Sequence, residues 1–200
     1  MITKLLSKSP IGIFDSGLGG LTVLSSLEKM LPNESFIYFG DTAHVPYGCK
    51  SADTIIRYSG DIMDFFLTHN TKAVVIACNT ASAIACQKLR SSYNIPLFDV
   101  LAPSVVHTNN ISKTRKIGVI GTHTTIHSRA YTQSFLNLDS DCFVVEIACP
   151  LFVPLIEEGW SYTSVAKEVA NNYLGPFQKT EMDTLILGCT HYPIMAKTIQ

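Results

Sequence analysis

Short runs of apolar residues alternate along the chain with segments whose apolar residues recur at helical spacing. Each short run has the length of a buried strand, and the first four are IGIF, SFIYFG, AVVIAC and PLFDV. The segments between them predict helices: one is stopped by Pro32, one is capped by Ser51, and one begins at about Thr80. This alternation predicts βα units around a parallel sheet.

The pattern restarts in the second half of the chain. KIGVIGT (116–122) resembles IGIFDSG about 105 positions earlier, and TLILGCTHY resembles VVIACNTAS, so that Cys189 falls 111 positions after Cys78. The near agreement of the two offsets predicts an internal duplication. The expected fold class is α/β, with two pseudo-symmetric open sheets, mainly parallel and flanked by helices, and with the active site in the cleft between the two halves. The first α/β domain is predicted to span residues 1–98 and the second residues 99–189.

Composition narrows the class of protein. The chain is 46% hydrophobic and 16% charged, which provides a large core, and its net charge of −1 gives no basic excess for binding nucleic acid. The N-terminal MITKLLSKSP has no apolar stretch of useful length, so neither a signal peptide nor a membrane span is predicted and a cytoplasmic location is expected. In that compartment the six cysteines are expected to be free thiols.

Polar side chains follow the predicted strands at the points where the strands end. In open α/β sheets the carboxyl ends of the strands carry the ligand site. We therefore expect the site to be built from these strand-end residues, which are Asp15, Ser16, Asp41, Thr42, Cys78, Asn79, Thr80, Thr122, Cys189, Thr190 and His191.

Cys78 lies between a predicted strand and a predicted helix. The N-terminus of a helix carries partial positive charge, which predicts a lowered thiol pKa. The alternative is a small buried hydrophobic residue, the usual role of a lone free cysteine. Asn79 and Thr80 favour a functional role, because a polar run beside a buried strand is costly unless it meets solvent or ligand. Two equivalent thiols suit a proton transfer in which one removes an α-proton and the other protonates the opposite face.

Cys189 has two further interpretations, because His191 follows it closely. A structural metal site needs four ligands at recognisable spacing, and the sequence contains no Cys-x-x-Cys pair. A cysteine hydrolase with His191 as the activating base fits the residue types better. The matching Cys78 in the first half argues against a hydrolase, which is kept as an alternative.

Two loops have both structural and functional interpretations. DSGLGG lacks the spacing of a dinucleotide-binding loop and the lysine of a P-loop, so a nucleotide site is rejected. It is then a tight turn with glycine at positive φ, with or without Asp15 and Ser16 facing a ligand. GDTAHVPYG is either a loop without a binding role or a source of backbone contacts from Tyr47 and Gly48. Four histidines have no evident partner and are expected to be structural or on the surface: His44, His107, His123 and His127.

Five motifs together resemble the glutamate racemases of the aspartate/glutamate racemase superfamily. They occur in order from about residue 11 to residue 200, and they are IGIFDSGLGGLTVL, FGDTAHVPYG, VVIACNTASA, ACPLFVPLIEEG and LILGCTHYP. The resemblance implies a cofactor-independent isomerase that interconverts L- and D-glutamate in the cytoplasm and supplies D-glutamate for bacterial peptidoglycan. The expected partner is glutamate, with no metal, nucleic acid or membrane, and a homodimer is left open.

The resemblance also implies a role for each motif residue. Cys78 and Cys189 become the two acid/base thiols, with Asp15 assisting the first and His191 the second. Glu157 in PLIEEG is a further candidate for assisting proton transfer, with Glu158 as the competing assignment. Substrate-binding positions implied by the motifs are Asp15, Ser16, Tyr47, Gly48, Asn79, Thr80, Thr190 and His191, with Thr122 as a weaker addition.

The chain differs from this family in length. Family members run several dozen residues further, and the resemblance implies that those residues, together with residues 190–200, complete the first domain. Two other functions stay open. One is racemisation of a different substrate, such as aspartate or a hydantoin, and the other is a truncated, non-catalytic module that binds glutamate.

Overall fold

The computed structural model describes residues 8–200, which form two compact units. One unit ends at Val100 and the other runs from Leu101 to Gln200, whereas the predicted boundary lay after residue 98. Each unit contains a parallel sheet and the helices that connect its strands, so the predicted α/β class is confirmed.

The first unit has four strands in the order β2-β1-β3-β4, and every pairing between them is parallel. The strands are β1 (Ile11–Asp15), β2 (Phe36–Gly40), β3 (Ala73–Ile76) and β4 (Leu97–Asp99). The helices are α1 (Leu21–Met30), α2 (Ala52–Thr68) and α3 (Asn79–Ser92), and a 3₁₀ turn covers Tyr47–Cys49. Parallel neighbours need a crossover between them, and these helices supply it.

The central strand β1 organises the core of the first unit. Phe14 pairs with Phe39 of β2 on one side and with Ile76 of β3 on the other. Phe14 and Ile76 have no exposed surface, and Met63 and Phe66 of α2 belong to the same buried cluster. This packing fixes the carboxyl ends of β1 and β3 next to each other.

The second helix begins where the sequence predicted. Ser51 Oγ accepts a hydrogen bond from the Thr54 backbone N–H at 3.3 Å, which confirms Ser51 as the N-cap. The buried face of α2 follows helical spacing, and its members are Ile55, Ser59, Ile62, Met63 and Phe66.

The second unit has three parallel strands in the order β6-β5-β7. The strands are β5 (Lys116–Gly121), β6 (Phe143–Ala148) and β7 (Thr184–Gly188). The helices are α4 (Leu101–Ile111), α5 (His123–His127), α6 (Ala130–Leu138), α7 (Phe152–Glu157), α8 (Ser164–Leu174) and α9 (Ala196–Ile199). Two 3₁₀ turns cover Gly175–Lys179 and Tyr192–Met195.

The two sheets repeat one arrangement. In each unit the first strand lies between the second and the third, and all three are parallel. A thiol follows the third strand of each unit: Cys78 lies two residues after Ile76, where the pairing of β3 with β1 ends, and Cys189 directly follows Gly188, where the pairing of β7 with β5 ends. The internal similarity read from the sequence is therefore a similarity of fold.

Residues 190–200 make their core contacts in the second unit. The Tyr192 hydroxyl donates to the Cys149 carbonyl oxygen at 2.9 Å, and Tyr192 and Met195 have no exposed surface. Tyr192 also lies edge-on against the ring of Phe152. This segment was expected to complete the first domain, but here it belongs to the second hydrophobic core.

All six cysteines are free thiols, and Cys49 is the exposed one. Within residues 8–200, no helix combines the length and the apolar content that crossing a membrane requires.

Candidate active site

Cys78 occupies the turn between β3 and α3 and caps that helix. Its Sγ accepts a hydrogen bond from the Ala81 backbone N–H at 3.5 Å, and the thiol donates to Ser16 Oγ at 3.7 Å. The residue is only 5% exposed. Because β3 pairs with β1, the residues that follow the two strands meet, and the structure brings Cys78 together with Ser16.

Burial raises the pKa of the Cys78 thiol from 9.0 to about 11, and the negative charge of Asp15 acts in the same direction. Hydrogen bonds from Ala81 and Ser16 oppose the rise without cancelling it. The lowered pKa predicted from the helix N-terminus is therefore wrong, because loss of water around a charged sulfur outweighs a long N–H contact. Cys78 is a protonated thiol in the resting protein at neutral pH.

Asp15 ends β1 and has no exposed surface. Its Oδ2 accepts the Gly17 backbone N–H at 3.0 Å, and the Tyr38 hydroxyl donates to the Gly17 carbonyl at 2.8 Å. A Cβ on Gly20 would lie 2.5 Å from the Asp15 Cβ, so this glycine permits a close approach. The predicted positive φ is not found at Gly20, whose φ is −65°; in the described chain the glycine with positive φ is Gly159.

The loop of residues 41–48 folds back on the carboxylate of Asp41. The Tyr47 hydroxyl donates to Asp41 Oδ2 at 2.6 Å, and His44 Nδ1 lies 2.7 Å from Asp41 Oδ1. His44, expected to have no evident partner, therefore has one. Tyr47 is 1% exposed, so its side chain is part of the core, and backbone contacts from Tyr47 and Gly48 to a ligand stay a prediction.

In the second unit, Cys189 follows β7 and lies beside an imidazole. His191 Nδ1 is 3.8 Å from Cys189 Sγ, and His191 Nε2 is 3.2 Å from Glu157 Oε1. Cys189 and His191 are buried, whereas the Glu157 side chain is 47% exposed. The glutamate that contacts His191 is therefore Glu157, at the end of α7. Glu158 was the competing candidate in the motif.

The remaining predicted binding residues also lie at strand ends and helix starts. Asn79, Thr80 and Thr190 are buried. Thr122 caps α5, and its side chain accepts the Thr125 backbone N–H at 3.4 Å. These positions follow β3, β5 and β7, so each of these four residues lies at a strand end of its own unit.

Equivalent positions in the two units carry different side chains near the thiols. Strand pairing aligns Asp15 of β1 with Gly121 of β5, and the residue two places after each thiol is Thr80 in one unit and His191 in the other. The first thiol thus has a carboxylate nearby on the neighbouring strand. The second has an imidazole nearby on its own turn.

The motifs assigned no role to Tyr38 or Asp41, although Tyr38 is hydrogen-bonded to the turn after β1 and Asp41 to the loop of residues 41–48. Asp41 was recognisable as a strand-end carboxylate. Tyr38 gave no signal, because an aromatic residue in a strand is ordinary core material.

The arrangement suits proton transfer. A protonated thiol can donate a proton, and a thiolate beside an imidazole can accept one. Among the described residues, no group of three or more His, Cys, Asp or Glu side chains is arranged to hold a metal ion.

Comparison with known sequences places this geometry among relatives. The family model described as Asp/Glu/Hydantoin racemase matches residues 11–200. A glutamate racemase from Sulfurihydrogenibium sp. is 50% identical over 192 residues, which cover 96% of this chain and 74% of that protein. The glutamate racemase of Aquifex aeolicus is 47% identical over 190 residues, covering 95% and 74% of the two chains.

Solved structures give the same picture. A glutamate racemase isoform from Bacillus anthracis superposes with a TM-score of 0.92 at 38% identity, covering 96% of this chain and 72% of that one. The Francisella tularensis glutamate racemase in complex with D-glutamate gives a TM-score of 0.91 at 42% identity, with the same coverage. An aspartate racemase from Picrophilus torridus is 17% identical with a TM-score of 0.66, covers 96% of this chain and 85% of that one, and shares the fold.

Proposed function

We propose that this chain, which belongs to the Asp/Glu/Hydantoin racemase family, interconverts L- and D-glutamate by proton transfer between two thiols. The single observation that carries the proposal is the pair of equivalent cysteines, Cys78 and Cys189, each following the same strand of a repeated sheet. No cofactor is assigned to the reaction. The product is expected to be D-glutamate for peptidoglycan synthesis in the cytoplasm.

The proposed chemistry moves one proton in each half of the reaction. A thiolate forms an S–H bond with the α-proton, and the electrons of the broken C–H bond stay on the α-carbon. The second thiol then gives its proton to the opposite face and becomes a thiolate. Reversing the substrate enantiomer reverses the two roles.

The local environments favour different starting states for the two thiols. Cys78, with a pKa of about 11, is protonated and ready to donate. His191 lies 3.8 Å from the Cys189 sulfur, close enough to take up the proton of that thiol. In the opposite direction Cys78 must act as the base. Because its pKa is raised, a smaller fraction of Cys78 is present as thiolate, but that thiolate is a stronger base.

Glutamate is the substrate best supported by the relatives. The proteins with 47–50% identity to this chain are glutamate racemases, and one structural neighbour holds D-glutamate. The aspartate racemases are only 17% and 15% identical and support the fold alone. Hydroxyl and amide groups near the thiols, on Ser16, Asn79 and Thr190, are suited to bind carboxylates without a cationic side chain that would also attract a thiolate.

The test is racemisation of L-glutamate without added cofactor, followed by circular dichroism and by uptake of deuterium at the α-carbon from D₂O. We expect the wild-type protein to racemise glutamate and the variants Cys78→Ala and Cys189→Ala to lose racemisation. Sustained turnover by both single variants would exclude the two-thiol mechanism. Faster turnover of aspartate than of glutamate would assign a different substrate.

A thiol hydrolase is a second candidate, because Cys189, His191 and Glu157 are connected as nucleophile, base and orienting acid would be. It predicts an acyl adduct on Cys189 with activated esters and no requirement for Cys78. Intact-protein mass spectrometry of the wild type and Cys78→Ala tests this. We expect no such adduct during glutamate turnover.

A further inference from the structure

The loop of residues 41–48 is held from inside by one carboxylate, and this contact has no assigned role. Resting on the function proposed above, we propose that Asp41 is a positioning residue that fixes Tyr47, and with it the Gly48 peptide, beside Cys78 for binding glutamate. Asp41 is not expected to touch the reacting atoms. Its effect is expected to pass through Tyr47.

Asp41, at the start of the loop, contacts both β1 and the residues at the far end of the loop. Its backbone N–H donates to the Asp15 carbonyl oxygen at 3.0 Å. Its side chain accepts the Tyr47 hydroxyl at 2.6 Å on one oxygen, while His44 Nδ1 lies 2.7 Å from the other. Both carboxylate oxygens are therefore used within the loop, and Asp41 is 7% exposed. A buried carboxylate with two short contacts restricts the positions that the loop can adopt.

Tyr47 carries this restraint to the thiol. Its ring is buried in the same hydrophobic cluster as Cys78 and Ala81. Burial raises the pKa of Tyr47 above its ordinary value, and the contact with Asp41 and the charges of Asp41 and Cys78 add to the rise. The hydroxyl therefore stays protonated and donates to Asp41. Since Gly48 follows Tyr47 directly, fixing this ring also fixes the peptide that the motif assigns to substrate binding.

His44 closes the outer side of the loop. Its ring stacks on Tyr58 of α2 with centroids 4.0 Å apart. Arg57 and Lys50 lie 5.1 and 5.9 Å from the centre of the Tyr58 ring. The loop is thus attached to α2 on the outside and to β1 on the inside, and Asp41 contributes to both attachments.

The experiment compares Asp41→Asn, Tyr47→Phe and the double variant with the matched control Tyr93→Phe. Tyr93 lies in the same unit, and its hydroxyl oxygen is 2.9 Å from Asp64 Oδ1 and 3.0 Å from the Gly60 carbonyl oxygen, between α2 and the end of α3. It therefore offers the same tyrosine–carboxylate chemistry away from the strand ends. Calorimetry gives the Kd for glutamate, turnover gives kcat and KM for each enantiomer, and thermal unfolding verifies the fold.

We expect Asp41→Asn and Tyr47→Phe each to raise Kd and KM by roughly 10-fold, with a smaller change in kcat, because a charge-assisted hydrogen bond is lost. The double variant should change Kd by less than the product of the two single changes, since both remove the same contact. Tyr93→Phe should leave Kd and KM within about 2-fold. Tyr47→Phe keeps the test valid if Asp41→Asn fails to fold.

The outcomes separate this proposal from the function on which it rests. If the folded variants Tyr47→Phe and Asp41→Asn bind glutamate as tightly as the wild type, the positioning role is overturned. This holds whether or not the wild type racemises glutamate. Equal losses in Tyr47→Phe and in Tyr93→Phe would overturn it as well, because a general loss of packing would then be the cause. A wild type that binds glutamate but exchanges no α-proton contradicts the racemase function and leaves the binding comparison decisive for Asp41.

Discussion

At the scale of single residues, the two thiols have equivalent places and unequal neighbours. Cys78 has a buried carboxylate nearby and a pKa raised to about 11, whereas Cys189 has His191 at 3.8 Å. Asp15 aligns with Gly121, so the duplicated half lacks a carboxylate at that strand position. The catalytic symmetry proposed here therefore depends on the sulfurs, because their neighbours differ.

Glu157 is expected to matter through His191. Replacing it by glutamine keeps the shape but removes the negative charge that lies 3.2 Å from His191 Nε2, so kcat should fall, on the order of 3- to 10-fold given the exposure of Glu157. Glu158→Gln is the matched control, since the neighbouring side chain is exposed, and it should change kcat by less than about 2-fold. Steady-state racemisation assays measure both. Equal effects in the two variants would remove Glu157 from the proton path.

The raised pKa of Cys78 predicts a change of stability in alkaline solution. The folded pKa of about 11 lies above the ordinary 9.0, so the unfolded chain loses this proton first and stability falls as pH rises from 9 towards 11. Below pH 9 the contribution is fully present. We therefore compare the free energy of unfolding of the wild type with that of Cys78→Ser. The wild-type value minus the variant value should fall by about 2 to 3 kcal/mol between pH 9 and pH 11.

Urea titrations at pH 8, 9, 10 and 11 measure that difference. Serine does not titrate in this range, while the other buried cysteines are shared by both proteins and cancel. A difference that stays constant with pH would show that the Cys78 proton is lost equally easily in the folded and unfolded chains.

Residue identities were accessible from sequence, but their electrostatics were not. Cys78 and Cys189 were found because each ends an apolar run and precedes polar residues. The predicted direction of the Cys78 pKa shift was wrong because burial of the thiol and the approach of Asp15 come from strand pairing, which no local pattern describes. The contact of His44 with Asp41, three residues apart in one loop, was missed because no periodic pattern describes the conformation of a loop.

At the scale of elements, the turn between β1 and α1 depends on a glycine at one position. Any side chain at Gly20 would meet the Asp15 Cβ at 2.5 Å and the Tyr38 hydroxyl at 2.8 Å. We expect Gly20→Ala to lower the free energy of unfolding by about 1 to 3 kcal/mol. It should also lower kcat at least about 10-fold by displacing Asp15.

Gly60→Ala is the matched control. Gly60 lies within α2, and a Cβ there would lie 3.6 Å from the Tyr93 hydroxyl oxygen, an ordinary contact distance. The unfolding free energy of this variant should stay within about 0.5 kcal/mol of the wild type or rise slightly, because alanine is the better helix former and restricts the unfolded chain. Denaturant unfolding and racemisation assays distinguish the two glycines, and a harmless Gly20→Ala would mean that the turn can shift without moving Asp15.

Elements with a clear apolar period were predictable, and those set by close packing were not. The buried runs became strands, and Ser51 caps α2 as expected. The glycine-rich turn was explained by positive φ, yet the structure uses its smallness, which depends on a side chain approaching from β1. The segment 190–200 was assigned to the first domain by resemblance, and its contacts with Cys149 and Phe152 could not be read from spacing.

At the scale of the whole molecule, duplication gives the chain one thiol per unit, and the proposed reaction needs both. A protein with two bases protonates the product from the second thiol, whose proton exchanges with solvent. During early conversion of L-glutamate in D₂O, D-glutamate should therefore carry α-deuterium while the recovered L-glutamate stays largely unlabelled. A single base that acts on both faces would instead give substrate and product the same label, which is the abstracted protium or, once the base has exchanged with solvent, deuterium. Chiral separation followed by mass spectrometry measures the two labels, and early deuterium in L-glutamate would mean that one unit performs both proton transfers and that the repeated strand-end cysteine has another purpose.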